Sequence, residues 1–394
     1  MTTTLNHTSI AEYQSIAISL SDELRQTAQE RDRQSGIPNY EVRRLRELGL
    51  LPLVVPKAYG GGGATWVEAL PIVREIAKAD SSTAQLYGYH LLLTVLGQVL
   101  GTPEQADRHY QDTAKYHLFW GNAINIRDTR LQIEPDQEQY RVNGTKTFCT
   151  GTVVADRRVC AAMQEGSEIP VLFVVPKERS GIIYNHDWDT IGQRRTASGS
   201  FIFTNVQVMP DEILPAPDPK NIFATIFGVL GVVILTHIHL GVAEGAFEAA
   251  KDYTCTKTRP WLTSGVDQAT QDPYILHHYG ELWAQLQGAI ALTHQATIQL
   301  QQAWDKGNAL TLEERGEAAI VAAAAKTLSI QAGLTITNRI FEVMGARSTA
   351  SHYGFDRYWR DMRTFTIHDP VDYKLREIGS WVLNGDFPFP TPYS

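Results

Sequence analysis

The sequence predicts an α+β protein in three consecutive parts. These are an N-terminal helical domain over residues 1–117, a small central β domain over 118–216, and a C-terminal four-helix bundle over 217–394. Three observations predict this. Apolar residues recur at helical spacing toward both ends of the chain. Short β-branched runs separated by glycine turns fill the middle. A length of 394 residues also exceeds what one hydrophobic core usually supports.

In the first part, Ile16, Leu20 and Leu24 form one apolar stripe, and Val42, Leu45 and Leu48 form a second, closed by Gly49 as a C-cap. A glycine-rich turn, Pro56 to Gly63, precedes a third helix marked by Leu70, Val73 and Ala77. Thr83 to Leu100 is mostly apolar and reads as a buried fourth. The texture changes near Leu118. Tyr140–Val142, Val171–Val175 and Phe201–Phe203 read as strands, with turns at Asn143-Gly144, Ser180-Gly181 and Ser198-Gly199. Asn-Gly accepts positive φ at both residues, so a hairpin is expected there, within an antiparallel sheet. From about Asn221 four helices are expected, Ile222–Lys251, Tyr274–Lys306, Leu312–Met344 and Val371–Leu383. The small residues of Val321–Lys326 allow close helix contact.

Composition narrows the function classes. Hydrophobic residues make up 43% and charged residues 20%, an ordinary globular balance. The net charge of -8 disfavours nucleic-acid binding, since no basic excess meets the phosphates. Cys149, Cys160 and Cys255 show no C-x-x-C spacing and read as buried small apolar residues of a reduced, cytoplasmic protein. Met1–Ser9 is polar with no signal core, and the apolar run Ile222–Leu235 is shorter than a bilayer span, so no membrane partner is expected. His237 with His239, and His277 with His278, lack companion ligands at metal spacing, so no metal is expected.

Three motifs resemble acyl-CoA dehydrogenases. They are Asn143–Gly151 (N-G-T-K-T-F-C-T-G), the loop Pro56–Gly63, and Arg360–Arg363 followed by the loop Thr364–Pro370. The resemblance implies a flavin, with Phe148 flanking the isoalloxazine and Thr150 bonding its edge near N5. Strand alternation would place both side chains on one face. Two departures stand out. Gly121–Asp128 replaces the family's first β motif, and Asp369 stands near the place of the catalytic glutamate. Aspartate is one methylene shorter, and Pro370 stiffens the turn after it. Both speak against α,β-dehydrogenation. An acyl-CoA dehydrogenase with Asp369 as base remains the alternative, and a non-catalytic flavin protein of this fold a third reading.

The same departures are similar to the flavin-dependent monooxygenase branch of the fold. Leu86–Leu91, Gly121–Ala123, Phe148–Gly151, Asp187-Trp188, Gln193–Ser200, Arg259–Trp261, Tyr353–Arg357 and His368–Pro370 carry that resemblance. It implies a two-component monooxygenase that uses reduced flavin and O2, through a C4a-(hydro)peroxyflavin, to oxygenate a sulfur or nitrogen atom of a small apolar substrate. The implied catalytic residues are His368, Asn122, Thr150 and Asp369. The implied cofactor contacts are Phe148, Thr150, Trp188, Arg194, Thr196, Ser198 and Arg259, with the Arg194–Ser200 loop and Arg259 suited to a phosphate. Tyr89, Gln85 and Phe365 would line the substrate pocket. In the member of that branch that the resemblance points to, histidine stands where Gln85 and Phe365 stand here, and serine where Thr150 stands. Phe341–Ala346 lacks the second glycine with which FAD-binding relatives approach the diphosphate, which favours FMN. A separate flavin reductase and a homotetramer complete the expectation.

Overall fold

A computed structural model describes residues 8–216, 218 and 220–394. Of the polar N-terminal stretch, residues 1–7 lie outside them, as does Pro217, the first residue of the third expected domain.

Six helices come first: α1 (Ile10–Gln34), α2 (Asn39–Glu47), α3 (Trp66–Ala79), α4 (Ser81–Thr94), α5 (Leu96–Leu100) and α6 (Pro103–Tyr116). A capping box starts α1, with Ser9 and Glu12 bonding each other's backbone N–H. The expected single helix over Thr83–Leu100 is broken at Val95, which sits near φ -90° and ψ 2° and joins α4 to α5. Asp80 ends α3 and caps α4 through Thr83 N (2.8 Å). Its buried carboxylate pairs with Arg31 of α1, and Arg31 also meets the buried Glu41 of α2 at 3.0 Å. One buried guanidinium therefore ties four helices together. Removing one partner of such a cluster strands the other charge away from water.

The middle of the chain forms β1 (Trp120–Ala123), β2 (Gln132–Asp136), β3 (Gln139–Lys146), β4 (Arg157–Gln164), β5 (Val171–Pro176), β6 (Ile182–Tyr184) and β7 (Phe201–Val208). The order is β1-β4-β2-β3-β7-β6, with β5 also on β4. The sheet is mixed rather than antiparallel throughout, because β4 runs parallel to both β1 and β2. Asn143-Gly144 forms no hairpin. It lies inside β3, at a shift of register against β7. A side chain at Gly144 (φ +123°) would meet the Arg130 carbonyl, and Asn143 Oδ1 accepts from Asn205 N at 2.7 Å, so the pair serves a bulge. The hairpin turn falls instead at Gln137-Glu138, between the paired Asp136 and Gln139.

The last part contains α7 (Ile226–Thr256), α8 (Pro273–Asp305), α9 (Leu312–Met344), α10 (Asp356–Phe365) and α11 (Val371–Asn384). Here α10 adds a fifth helix to the expected four. Both α7 and α9 are long and apolar enough to cross a membrane, but 89% and 67% of their most apolar windows are buried within the fold. They are core helices: α7 packs on α3 and α4 as well as on α8 and α9. Cys149 and Cys160 are buried as expected, whereas Cys255 is exposed on the last turn of α7.

Candidate active site

Two walls meet where the β domain touches the helices. The first follows β3. Buried Lys146 donates to the Asp128 carbonyl (2.7 Å), and the Asp128 carboxylate takes the N–H and hydroxyl of Thr147 (2.9 and 2.7 Å). The strand stops there. Phe148 turns into the left-handed region at φ +57°, a costly conformation for an aromatic residue, and Thr150 N bonds back to its carbonyl at 3.1 Å. The expected shared strand face therefore does not form. Phe148 is 62% exposed, while Thr150 is buried. Trp188 stands nearly perpendicular to Phe148, with ring centres 6.1 Å apart.

Behind this apolar shelf runs a line of buried hydroxyls. Thr150 Oγ1 lies 2.8 Å from Ser198 Oγ, which donates to Thr196 Oγ1 at 2.8 Å, and Thr196 donates to the Gln193 carbonyl at 2.9 Å. That carbonyl also accepts from Trp188 Nε1 at 3.0 Å. Thr196 and Ser198 thus spend their protons inside the protein rather than on a phosphate. Arg194 also turns inward, donating to the carbonyls of Asp32 (2.9 Å) and Thr190 (3.2 Å). Arg195 clamps Glu41 with two bonds of 3.0 Å. Arg259 is exposed in the segment after α7, and no contact brings it to the shelf within the described residues. Asn122 belongs with Thr150: its N–H donates to the Thr150 carbonyl (2.9 Å), and its Oδ1 accepts from Ile124 N (2.9 Å).

The second wall is helical. Gln85 and Tyr89 are four residues apart on one face of α4, and Leu86 beside them packs on Gly151. From α7 comes His239, whose ring lies 5.2 Å from that of Phe365 at the end of α10. Both His239 nitrogens and Gln85 Oε1 are buried without a hydrogen-bond partner among the described residues. Burial first, then the nearby Lys326 charge, pushes His239 down to about 3, so it is neutral. The loop after α10 supplies His368 and Asp369. His368 Nδ1 lies 3.2 Å from Asp369 Oδ1, and the same oxygen pairs with Lys326 of α9, which is 2% exposed. Burial alone would raise Asp369, but the His368 bond and the Lys326 charge prevail and hold it well below the usual carboxylate range. Tyr89 is raised, by burial first and then by the Asp369 and Tyr393 charges. The Tyr393 ring stands 6.0 Å from His368. His90 faces away from this wall. Its Nε2 bonds the Leu51 carbonyl (2.7 Å) and its Nδ1 accepts from Trp120 N (3.2 Å).

The sequence did not mark Lys326, His239 or Tyr393 as site residues. The available signal was a lone lysine inside the alanine-rich run of α9. His237, two residues before His239 on α7, bonds Thr297 at 2.8 Å.

A buried carboxylate joins the two walls. Asp361 of α10 accepts from Gln193 N at 2.6 Å, so it braces the residue that ends the hydroxyl line. Burial pushes Asp361 up to about 7, against the pull of that N–H. The folded protein therefore binds this proton more tightly than the unfolded chain, and the stability this proton confers is lost as pH rises from about 4 through 7. The slope reaches about 1.4 kcal/mol per pH unit at most. D361N keeps the oxygen acceptor without the charge. Melting temperatures should show the parent losing stability relative to D361N over this window; parallel curves would contradict the assignment.

An open face between two apolar rings, backed by a buried hydroxyl, suits a planar heterocycle with a polar edge. The sequence matches the acyl-CoA dehydrogenase N-terminal domain over residues 13–116 and the acyl-CoA dehydrogenase C-terminal domain over 233–373. It is 41% identical over 381 residues, 96% of each chain, to the probable FMNH2-dependent monooxygenase SfnC of Pseudomonas putida. The chain belongs to the reduced-flavin monooxygenases of the acyl-CoA dehydrogenase family. Two solved structures agree. Methanesulfinate monooxygenase MsuC of Pseudomonas fluorescens superposes with a TM-score of 0.94 at 42% identity, covering 97% of this chain and 99% of that one. The FMN-bound structure of TdsC, a dibenzothiophene monooxygenase of Paenibacillus sp. A11-2, gives 0.93 at 38%, covering 97% and 100%.

The enzyme is thus an oxidoreductase that uses reduced FMN. The site disfavours the dehydrogenase alternative on its own terms. A general base must take up a proton, and the Lys326 charge and the His368 bond lower the proton affinity of the Asp369 carboxylate and so weaken it as a base.

Proposed function

We propose that the enzyme transfers one oxygen atom of O2 to a sulfur or nitrogen atom of a small, mostly apolar substrate. Sulfur is favoured by the names of its relatives, which include a methanesulfinate and a dibenzothiophene monooxygenase. The reading is carried by the His368–Asp369–Lys326 line on the helical wall, taken with the Phe148–Trp188 shelf. Bound reduced FMN supplies the electrons that activate O2. Phe148 and Trp188 hold the ring system, and Thr150 and Asn122 bond its edge. Arg194 and Arg259 keep a phosphate role only if flavin or a second subunit redirects them. Asp369 accepts from His368 Nδ1, which leaves Nε2 to hold or deliver a proton at the reacting oxygen. Tyr89, Gln85 and Phe365 face the substrate and, with buried α4, keep bulk water out.

A reductase supplies reduced FMN by diffusion, in the cytoplasm. A homotetramer is supported by exposed apolar side chains on two bundle helices, Leu276 and Trp283 of α8 and Leu375, Trp381, Val382 and Leu383 of α11. The test is an assay in which a reductase supplies reduced FMN, with methanesulfinate and dibenzothiophene as substrates. Oxygenated product should require enzyme, reductase and O2 together. Bleaching of bound FMN by an acyl-CoA, with no reductase and no oxygenated product from sulfur compounds, would overturn the reading.

A further inference from the structure

The line of hydroxyls behind the shelf has a direction. A hydroxyl has one proton to donate and two lone pairs to accept with. The Gln193 carbonyl can only accept, so Thr196 must give it its proton at 2.9 Å. Thr196 Oγ1 can then only accept from Ser198, at 2.8 Å. Ser198 has no proton left, so in its 2.8 Å contact with Thr150 the donor is Thr150. All three side chains are buried, Thr196 completely, so water does not interrupt the sequence. The carbonyl that sets the direction is itself fixed, by Trp188 Nε1 on one side and by the Asp361 bond to Gln193 N on the other. Thr150 therefore meets the shelf with an oxygen that has no proton to offer.

We infer that Thr196 and Ser198 are positioning residues that make Thr150 a pure hydrogen-bond acceptor, and so select the reduced over the oxidised form of FMN. Reduced flavin carries a hydrogen on N5, whereas oxidised flavin presents a bare N5 that can only accept. An acceptor opposite N5 gains a bond with the first and faces an unpaired lone pair with the second. The inference rests on FMN lying with its N5 edge at Thr150, as proposed above, and gives Thr196 and Ser198 a role other than phosphate binding. A two-component enzyme benefits directly, since it must capture reduced FMN in the presence of oxidised FMN.

The test is binding, not turnover. Dissociation constants for oxidised FMN and for photoreduced FMN are measured, the latter anaerobically, on the full chain and on two variants. The parent should bind the reduced form at least about tenfold more tightly, the size expected of one hydrogen bond made in one state and lost in the other. In T196V, Ser198 can turn its proton to Thr150, and Thr150 is free to donate to bare N5. In S198A, Thr150 loses its partner and is equally free. Either change should narrow the reduced-to-oxidised ratio about tenfold, mainly by tightening the oxidised form. In bound FMN this lowers the two-electron midpoint potential by about 30 mV. The Gln193 carbonyl keeps Trp188 in both variants, so neither strands a buried acceptor there. A parent ratio near one, variants that keep the parent ratio, or equal weakening of both forms would each overturn the inference. Because oxygenation is not measured, failure of the substrate assignment leaves this outcome readable.

Discussion

Alanine at position 368 should leave reduced FMN bound and oxidised, while oxygenated product per flavin consumed falls about 10²–10⁴-fold, the usual range for losing a positioned acid or base. The missing product should appear as hydrogen peroxide. His368 sits on the loop between α10 and α11, with its Nδ1 committed to Asp369. Its truncation removes the imidazole without uncovering the core, since the side chain is partly exposed. Circular dichroism and FMN binding should therefore match the parent. Product yield within twofold of the parent would remove His368 from the chemistry and turn attention to the other proton-bearing groups of that wall, Tyr89 first.

Replacing Lys326 with methionine should cost about 3–5 kcal/mol of stability, because it leaves the Asp369 carboxylate without its buried counter-charge. Lys326 is itself lowered, by burial first, with Asp369 acting the other way, so the pair is stable only as a pair. The double variant K326M/D369N should recover most of the loss, since it removes both charges together. Urea unfolding of the three proteins tests this. A double variant no more stable than K326M would show that Lys326 acts through packing rather than charge. Activity separates the roles further. The double variant should fold yet stay uncoupled, because His368 loses the anion that orients it.

Much of the fold was legible in the sequence because it depends on local periodicity. The stripe Ile16, Leu20 and Leu24 belongs to α1, and α9 spans Leu312–Met344, the range expected of it. What local pattern could not show was decided across the chain. Asn143-Gly144 has the chemistry of a hairpin, but the Arg130 carbonyl and Asn205 use it to shape a bulge. Phe148 and Thr150 share the site through a left-handed kink rather than through strand alternation, and bonds from distant segments, Thr147 N to Asp128 before it and Cys149 N to the Gly199 carbonyl after it, help to hold that kink. In sequence, Lys326 closes the run Val321–Lys326, whose small residues suggest close helix contact. Its partner lies 43 residues away, so its burial could not be read from either segment alone. Arg194, paired by motif with a phosphate, is drawn to α1 by the carbonyl of Asp32.

The most direct test of oxygen activation at this site mixes the anaerobic complex of enzyme and reduced FMN with oxygenated buffer in a stopped-flow spectrometer. The account predicts an absorbance transient distinct from reduced and oxidised FMN. It should outlast any transient of free reduced FMN, and a sulfur substrate should shorten it as product forms. Return of oxidised FMN in one step, at the rate of the free flavin and with all the oxygen recovered as hydrogen peroxide, would contradict it.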